Sequence, residues 1–180
     1  MPERITRNTN DKGIKLSELS LQIKNELNNA FPENYWVIAE ISEIRTNYSG
    51  HAYLELIEKD PVSEKISARM RATIWSYTFR MLKPYFENTT GYNLESELKI
   101  MVKVSVEFHE IYGLSLNITD IDPAYTLGDL ARKKAKIIAR LTDEGVLDMN
   151  KALPIPLVPL RIAVISSETA AGFGDFRDSL

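Results

Sequence analysis

The sequence predicts a mainly β fold: a closed five-stranded barrel with one helix before it and one after it, followed by the opening of an α/β segment. Three observations predict it. Five runs alternate apolar and polar residues at a period of two, the spacing of strands with one wet face. After Trp75 the alternation is lost, which places a short helix between the third run and the fourth. Near the carboxyl end, Arg161–Ser166 is a short, continuously apolar run of the kind buried on both faces of a parallel sheet.

Met1–Gly13 is rich in Asn, Thr and charge, the composition of a mobile tail. Leu16–Phe31 reads as a helix. Ser17 can cap it, Leu16 can staple onto Leu21, and Leu19, Ile23, Leu27 and Ala30 recur at helical spacing until Pro32 stops it. That stripe is expected to dock on the barrel. Strands are expected at Tyr35–Arg45, His51–Ile57 and Lys65–Trp75, joined by turn-forming Asn47–Gly50 and by Glu58–Glu64 with Pro61. Ser76–Lys83 fits a short helix ended near Pro84. Leu98–Phe108 and Leu114–Ile121 then alternate again around an Ile111–Gly113 turn.

Three strands, a helix and two strands is the layout of an OB-fold, a barrel used for oligonucleotides and oligosaccharides. Its binding face lies on strands two and three, which here carry His51, Tyr53, Arg69, Arg71 and Thr73. The opposite parity of the third strand, Ile66, Ala68, Met70, Ala72 and Ile74, is uniformly apolar and is expected in the core.

A second helix is expected from Leu127 to Glu144, with Thr126 and Asp129 as a capping box and Gly145 as C-cap. Its Arg132, Lys133, Lys134, Lys136 and Arg140 read as a solvated face or, less simply, a phosphate-tracking stripe. Three prolines within 154–159 make a stiff connector. Ser167–Gly174 is expected as the loop at the carboxyl end of the Arg161–Ser166 strand, where α/β folds place ligands. The expected domains are a tail (1–13), a barrel with its leading helix (14–124), a helical and proline-rich linker (125–159) and the start of a second domain (160–180). One strand and the beginning of a helix bury no core, so the chain reads as a piece cut just inside that domain.

Composition narrows the chemistry. The 180 residues are 44% hydrophobic, enough for a packed core. The absence of cysteine excludes disulfides, a thiol nucleophile and cysteine-bound metal, and fits a reducing compartment. No apolar run approaches the roughly 20 residues that span a bilayer, and the first residues lack the apolar centre of a signal peptide. A cytoplasmic protein without membrane contact is expected. The net charge of −3 argues against a generic polyanion binder. Any nucleic-acid function must rest on a local patch and on stacking.

Tyr53 and Arg71 lead the candidates for that patch, because rings stack bases and guanidiniums neutralise phosphates. Arg69 and Arg45 follow, since each can instead pair with a neighbouring glutamate. His51 suits either the turn or a ligand, and Trp36 and Trp75 suit either core or base platform. His109, flanked by Glu107 and Glu110, reads as an ordinary surface residue. No His, Asp and Glu grouping has metal-ligand spacing, so no metal or other cofactor is expected. An OB-fold serving RNA, or one whose sheet docks a protein, remains an alternative.

Six motifs occur in the order seen in the exodeoxyribonuclease VII large-subunit family, which the chain resembles from about residue 14 onward. They are Leu16–Leu19, Trp36–Ser42, Ser49–His51, Arg71–Trp75, Leu141–Leu147 and Arg161–Thr169. The resemblance implies a bacterial cytoplasmic nuclease that degrades single-stranded DNA to oligonucleotides without requiring a divalent metal. It also implies an N-terminal OB-fold that binds the strand and several copies of a small helical subunit as partners. The family's catalytic domain opens at the strand matching Arg161–Ser166, and its catalytic-type aspartate falls on Asp175. Glu168 stands where the family has proline and Ala170 where it has glycine. The family's later catalytic residues would lie beyond Leu180, so these 180 residues are expected to bind DNA and not to cleave it. Asp175 as a helix N-cap is the plainer alternative.

Overall fold

The computed structural model describes residues 13–154, 157–158, 161–167 and 170–179. Helix α1 (Leu16–Ala30) leads into strands β1 (Tyr35–Thr46), β2 (Ala52–Lys59) and β3 (Ile66–Ile74). Helix α2 (Ser76–Thr90) precedes β4 (Lys99–His109) and β5 (Gly113–Asp122), and α3 (Pro123–Asp143) follows. The strands close into a barrel in the order β1-β2-β3-β5-β4. All pairs are antiparallel except β3 with β5, which run parallel and meet at Ala72 with Leu116 and Thr73 with Asn117. The five-stranded OB layout is therefore present, each strand within two residues of its expected bounds.

Alternation fills the barrel. Ile100, Val102 and Val104 of β4, Ile41 of β1 and Ile118 of β5 are almost wholly buried together with Phe86 of α2. β1 is long enough to serve two partners: residues 35–40 pair with β4 and residues 40–46 with β2. A register shift between Ile41 and Glu43 bends it from one to the other, as bulges do at barrel corners.

Five expectations need correction. α2 does not stop near Pro84 but runs through it to Thr90, closed by Gly91 in the left-handed conformation. An interior proline costs about 3 kcal/mol. Ending the helix there would strip Phe86 from the core, and burying one such ring offsets about 1.5–3 kcal/mol of that; the aligned Phe79 and Leu82 add to it.

The core parity of β3 holds only for Ala72 and Ile74, while Ile66, Ala68 and Met70 are exposed. β5 reaches β3 only at residues 72 and 73, so the first half of β3 pairs with β2 alone and projects past the barrel interior.

α1 has no side-chain cap from Ser17, and Leu16 and Leu21 stand exposed rather than stapled. Its buried residue is Ser20, and Leu19 and Ile23 of the expected docking stripe remain exposed. Leu27 of that stripe is half-buried, and a polar tie joins α1 to the barrel where Lys24 Nζ donates to Glu110 Oε1 at 2.9 Å.

α3 begins at Pro123, four residues before Leu127. Proline suits a first helical turn, where its missing N–H leaves nothing unpaired, and Asp122 Oδ1 accepts the Ala124 N–H at 2.9 Å. Thr126 is no cap: it is buried, and its hydroxyl donates to the Lys99 carbonyl at 3.0 Å. Asp129 pairs instead with Arg132 at 3.5 Å and Lys133 at 3.1 Å.

The chain divides into two compact units inside α3, one through Lys136 and one from Ile137 onward. In the second, Gly145 (φ +69°) closes the helix as expected. Its N–H donates to Thr142 at 3.0 Å and the Val146 N–H to Leu141 at 3.1 Å, the paired bonds of a Schellman end. Met149–Ala152 forms a 3-10 turn and α4 covers Ala171–Asp178. The fifth correction lies here. Arg161–Ser166 forms no strand, since a strand needs a ladder partner and none of the described residues supplies one. Ala171–Gly174, expected in a loop, make the first turn of α4. Residues 1–12, 155, 156, 159, 160, 168, 169 and 180 lie outside the described residues; they include most of the expected tail, part of the proline connector and Glu168. Among the described residues no helix is long and apolar enough to cross a membrane.

Candidate nucleic-acid interface

Tyr53 and Arg71 stand on the same outer face of the β2–β3 ribbon. The register sets Tyr53 opposite Thr73 and Glu55 opposite Arg71, so the two are diagonal neighbours of one parity. They line a groove of about 750 Å³ that also takes Trp75, Phe108, His109 and Tyr112 on its walls, with Lys24 of α1. Three pieces of chain therefore meet there: the β2–β3 face, the β4–β5 tip and α1.

The β1–β2 turn builds one end. Gly50 sits at φ +79°, and its N–H donates to the Asn47 carbonyl at 3.0 Å. That positive φ is what favours glycine there. Asn47 Oδ1 accepts the His51 N–H at 2.9 Å and its Nδ2 donates to the Tyr53 hydroxyl at 3.4 Å. His51 Nδ1 in turn accepts the Ser76 N–H at 3.0 Å, and its ring meets Trp75 edge-on at 5.0 Å. The first turn thus holds two groove rings, Tyr53 and Trp75.

The β4–β5 tip builds the other end. His109 Nδ1 accepts the Ile111 N–H at 3.1 Å, and the His109 and Tyr112 rings lie 4.7 Å apart. The ammonium of Lys24 bonded to Glu110 holds that carboxyl below the usual glutamate range.

The arginines differ in availability. Arg45, opposite Tyr53 on β1, is paired with Glu43, and Arg69 lies 3.5 Å from Glu55. Arg71 has no ion-pair partner among the described residues and lines the groove. Trp36 is not brought to the groove: it lies on the outer face of β1 opposite Lys103 of β4. Asp175 is the fifth residue of α4 and exposed, so the N-cap alternative is overturned; Ala170 holds that position. Among the described residues no three His, Asp or Glu side chains group as metal ligands do.

Sequence reasoning missed Lys24, Phe108, His109 and Tyr112 as groove residues and left Trp75 undecided. The available signal was the Ile111–Gly113 turn: in an OB-fold the loop between the last two strands overhangs the binding face.

The family model described as an OB-fold nucleic acid binding domain matches residues 14–122. The chain belongs to that family. It is 36% identical over 170 residues to the exodeoxyribonuclease 7 large subunit of Deinococcus radiodurans, covering 91% of this chain and 40% of that one. With the protein of the same name from Rhodopirellula baltica it shares 28% identity over 168 residues, covering 93% of this chain and 34% of the relative. The chain therefore spans about two fifths or less of these relatives' length. Among solved structures, a mitochondrial single-stranded DNA binding protein of S. cerevisiae, Rim1, aligns with 51% of this chain and 92% of its own, at 14% identity and a TM-score of 0.35. That likeness is too weak to bear on the ligand. For the OB-fold domain, the groove occupies the face the fold reserves for its ligand.

Proposed function

We propose that the groove binds single-stranded DNA and that the chain is the strand-gripping part of an exodeoxyribonuclease large subunit. The observation that carries this reading is the meeting, in one groove, of Arg71, which has no ion-pair partner among the described residues, with the rings of Tyr53, Trp75, Phe108 and Tyr112. Rings accept any base by stacking, and a few cations suffice to hold the backbone. An acidic chain, net −3, can grip a polyanion this way because the contact is local. Tyr53 and Arg71 are the central contacts, and His51 positions Trp75. Arg69, Arg45 and Trp36 are peripheral: the arginines are held by their glutamates and Trp36 stands away from the groove.

The similarity to exodeoxyribonuclease 7 large subunits supports hydrolysis of DNA phosphodiesters by the whole protein. In that protein Asp175 is a carboxylate that orients or activates the nucleophile, and residues 160–180 open the catalytic domain after a linker of 125–159. Several copies of a small helical subunit are its partners, and a cysteine-free chain suits the cytoplasm. The relatives are more than twice as long, so these 180 residues by themselves bind and do not cleave.

Fluorescence anisotropy with an unstructured thymidine oligomer tests the binding. Tyr53→Ala is expected to weaken it by about 1–3 kcal/mol, the worth of one stacked base, and Arg71→Ala to weaken it and flatten its salt dependence. Affinity unchanged from the unaltered chain in both variants, or stronger competition by RNA of the same sequence, would defeat the assignment. Release of acid-soluble nucleotides by the purified chain would defeat the division of labour.

A further inference from the structure

Helix α2 turns two unlike faces outward and inward. Phe79, Leu82 and Phe86 are buried on the barrel, while Tyr77, Met81 and Tyr85 are 74%, 51% and 52% exposed. The exposed three stand four residues apart, which aligns them along one side of the helix. The row begins two residues after a groove residue in the chain. Trp75 lines the groove and directly precedes Ser76, the first residue of α2, whose N–H is held by His51.

Spacing and charge suit an unpaired strand. Four helical residues advance about 6 Å, against a rise of about 3.4 Å per nucleotide in a duplex strand. A strand following the row is drawn out, its bases parted from one another and open to the side chains. Arg80, also exposed on α2, has no hydrogen-bond or ion-pair partner among the described residues. The one acidic residue of the helix, Glu87, lies 3.9 Å from Lys83, so the exposed face offers positive charge to a polyanion.

We propose that Tyr77, Met81 and Tyr85, with Arg80, extend the groove into a second subsite for single-stranded DNA. Tyr77 and Tyr85 stack bases, Met81 packs between them and Arg80 meets phosphate. Tyrosine, methionine and arginine also suit protein interfaces. Continuity with the groove at Trp75 and the drawn-out spacing favour the strand. The subsite presupposes the proposed DNA-binding function of the groove and adds length to it.

The test is the dependence of affinity on oligomer length, measured by anisotropy with thymidine oligomers from about 4 to about 16 nucleotides, the range of OB-fold site sizes. The whole chain is compared with Tyr77→Ala/Tyr85→Ala and with Arg80→Gln, and thermal melts confirm that these exposed changes leave folding intact. The expected result is unchanged affinity of the double variant for the shortest oligomer that binds, and a loss of about tenfold or more for the longest. Arg80→Gln is expected to give a smaller loss of the same kind and a shallower salt dependence. A length dependence identical in all three proteins overturns the α2 subsite and leaves the groove standing. It would leave that row of rings to a protein partner. Failure of every oligomer to bind the unaltered chain defeats the groove itself, and the subsite with it.

Discussion

Trp36 and Trp75 are almost equally exposed, at 48% and 46%, yet they stand in unlike surroundings. Trp36 lies on the β1–β4 wall, opposite Lys103 and beside exposed Ile38, with no second ring in contact among the described residues. Trp75 is steadied by the edge of His51 and shares a groove with Tyr53, Arg71, Phe108 and Tyr112. Exposure alone therefore does not mark a binding residue. The β2–β3 wall becomes an interface because Lys24 of α1 and the β4–β5 tip, joined through the Lys24–Glu110 bond, help to wall its groove, and Trp36 is not among the residues that line it.

The sharpest way to break this contrast is to remove each ring in turn. Trp75→Ala is expected to weaken binding of a thymidine oligomer between about fivefold and about a hundredfold, as one stacked base is worth about 1–3 kcal/mol. Trp36→Ala is expected to change it less than about twofold, the scale of a change away from the contact. His51→Ala lies between them, because it frees the Trp75 ring without deleting it. Similar losses from both tryptophan variants in titrations would show that the strand crosses the β1–β4 wall as well.

The two arginines of β3 extend the contrast to charge. Each phosphate contact on a single strand steepens the fall of log K with log salt by about 0.7. Arg71→Gln is expected to flatten that slope by about this amount, since Arg71 lines the groove and has no ion-pair partner among the described residues. Arg69→Gln is expected to leave it nearly unchanged, because Glu55 already holds Arg69. A salt titration in which the Arg69 variant loses as much slope would mean that the Glu55 pair opens on binding.

Much of this was legible in the sequence, for identifiable reasons. Period-two alternation located all five strands, and parity put Tyr53 and Arg71 on one face before any register was known. Alternation is a property of one strand, so it could not say where a neighbour ends. Ile66, Ala68 and Met70 read as core because nothing in their order reveals that β5 meets β3 at only two residues. Pro84 misled for a related reason: the local cost of proline was visible and the tertiary gain of burying Phe86 was not. The groove's far wall was hidden most completely. Lys24, Phe108 and Tyr112 come from segments far apart in the chain, and only barrel closure brings them to Tyr53 and Arg71. Arg161–Ser166 shows the converse, since its apolar composition is that of a buried strand but pairing decides whether one forms.

The smallest effect separates two carboxylates that both sit below their ordinary range, one at the groove and one away from it. Glu110 is held down first by the hydrogen bond from Lys24, Asp60 by N–H and hydroxyl bonds from Ser63 in the β2–β3 turn. For a depressed carboxyl the stabilisation is complete above the unfolded value and is lost as pH falls through the lower folded value. Acid should therefore weaken both the α1 tie and the turn, and only below the usual carboxylate range. Their consequences for binding differ. Protonating Glu110 releases Lys24 into the groove, so Glu110→Gln is expected at neutral pH to raise affinity slightly and to steepen the salt slope by at most about 0.7. Asp60→Asn is expected to lower the melting temperature a little and leave binding unchanged. Weaker binding by Glu110→Gln would mean that the Lys24–Glu110 bond holds the groove wall in place, making α1 a fixed part of the interface instead of a source of a spare cation.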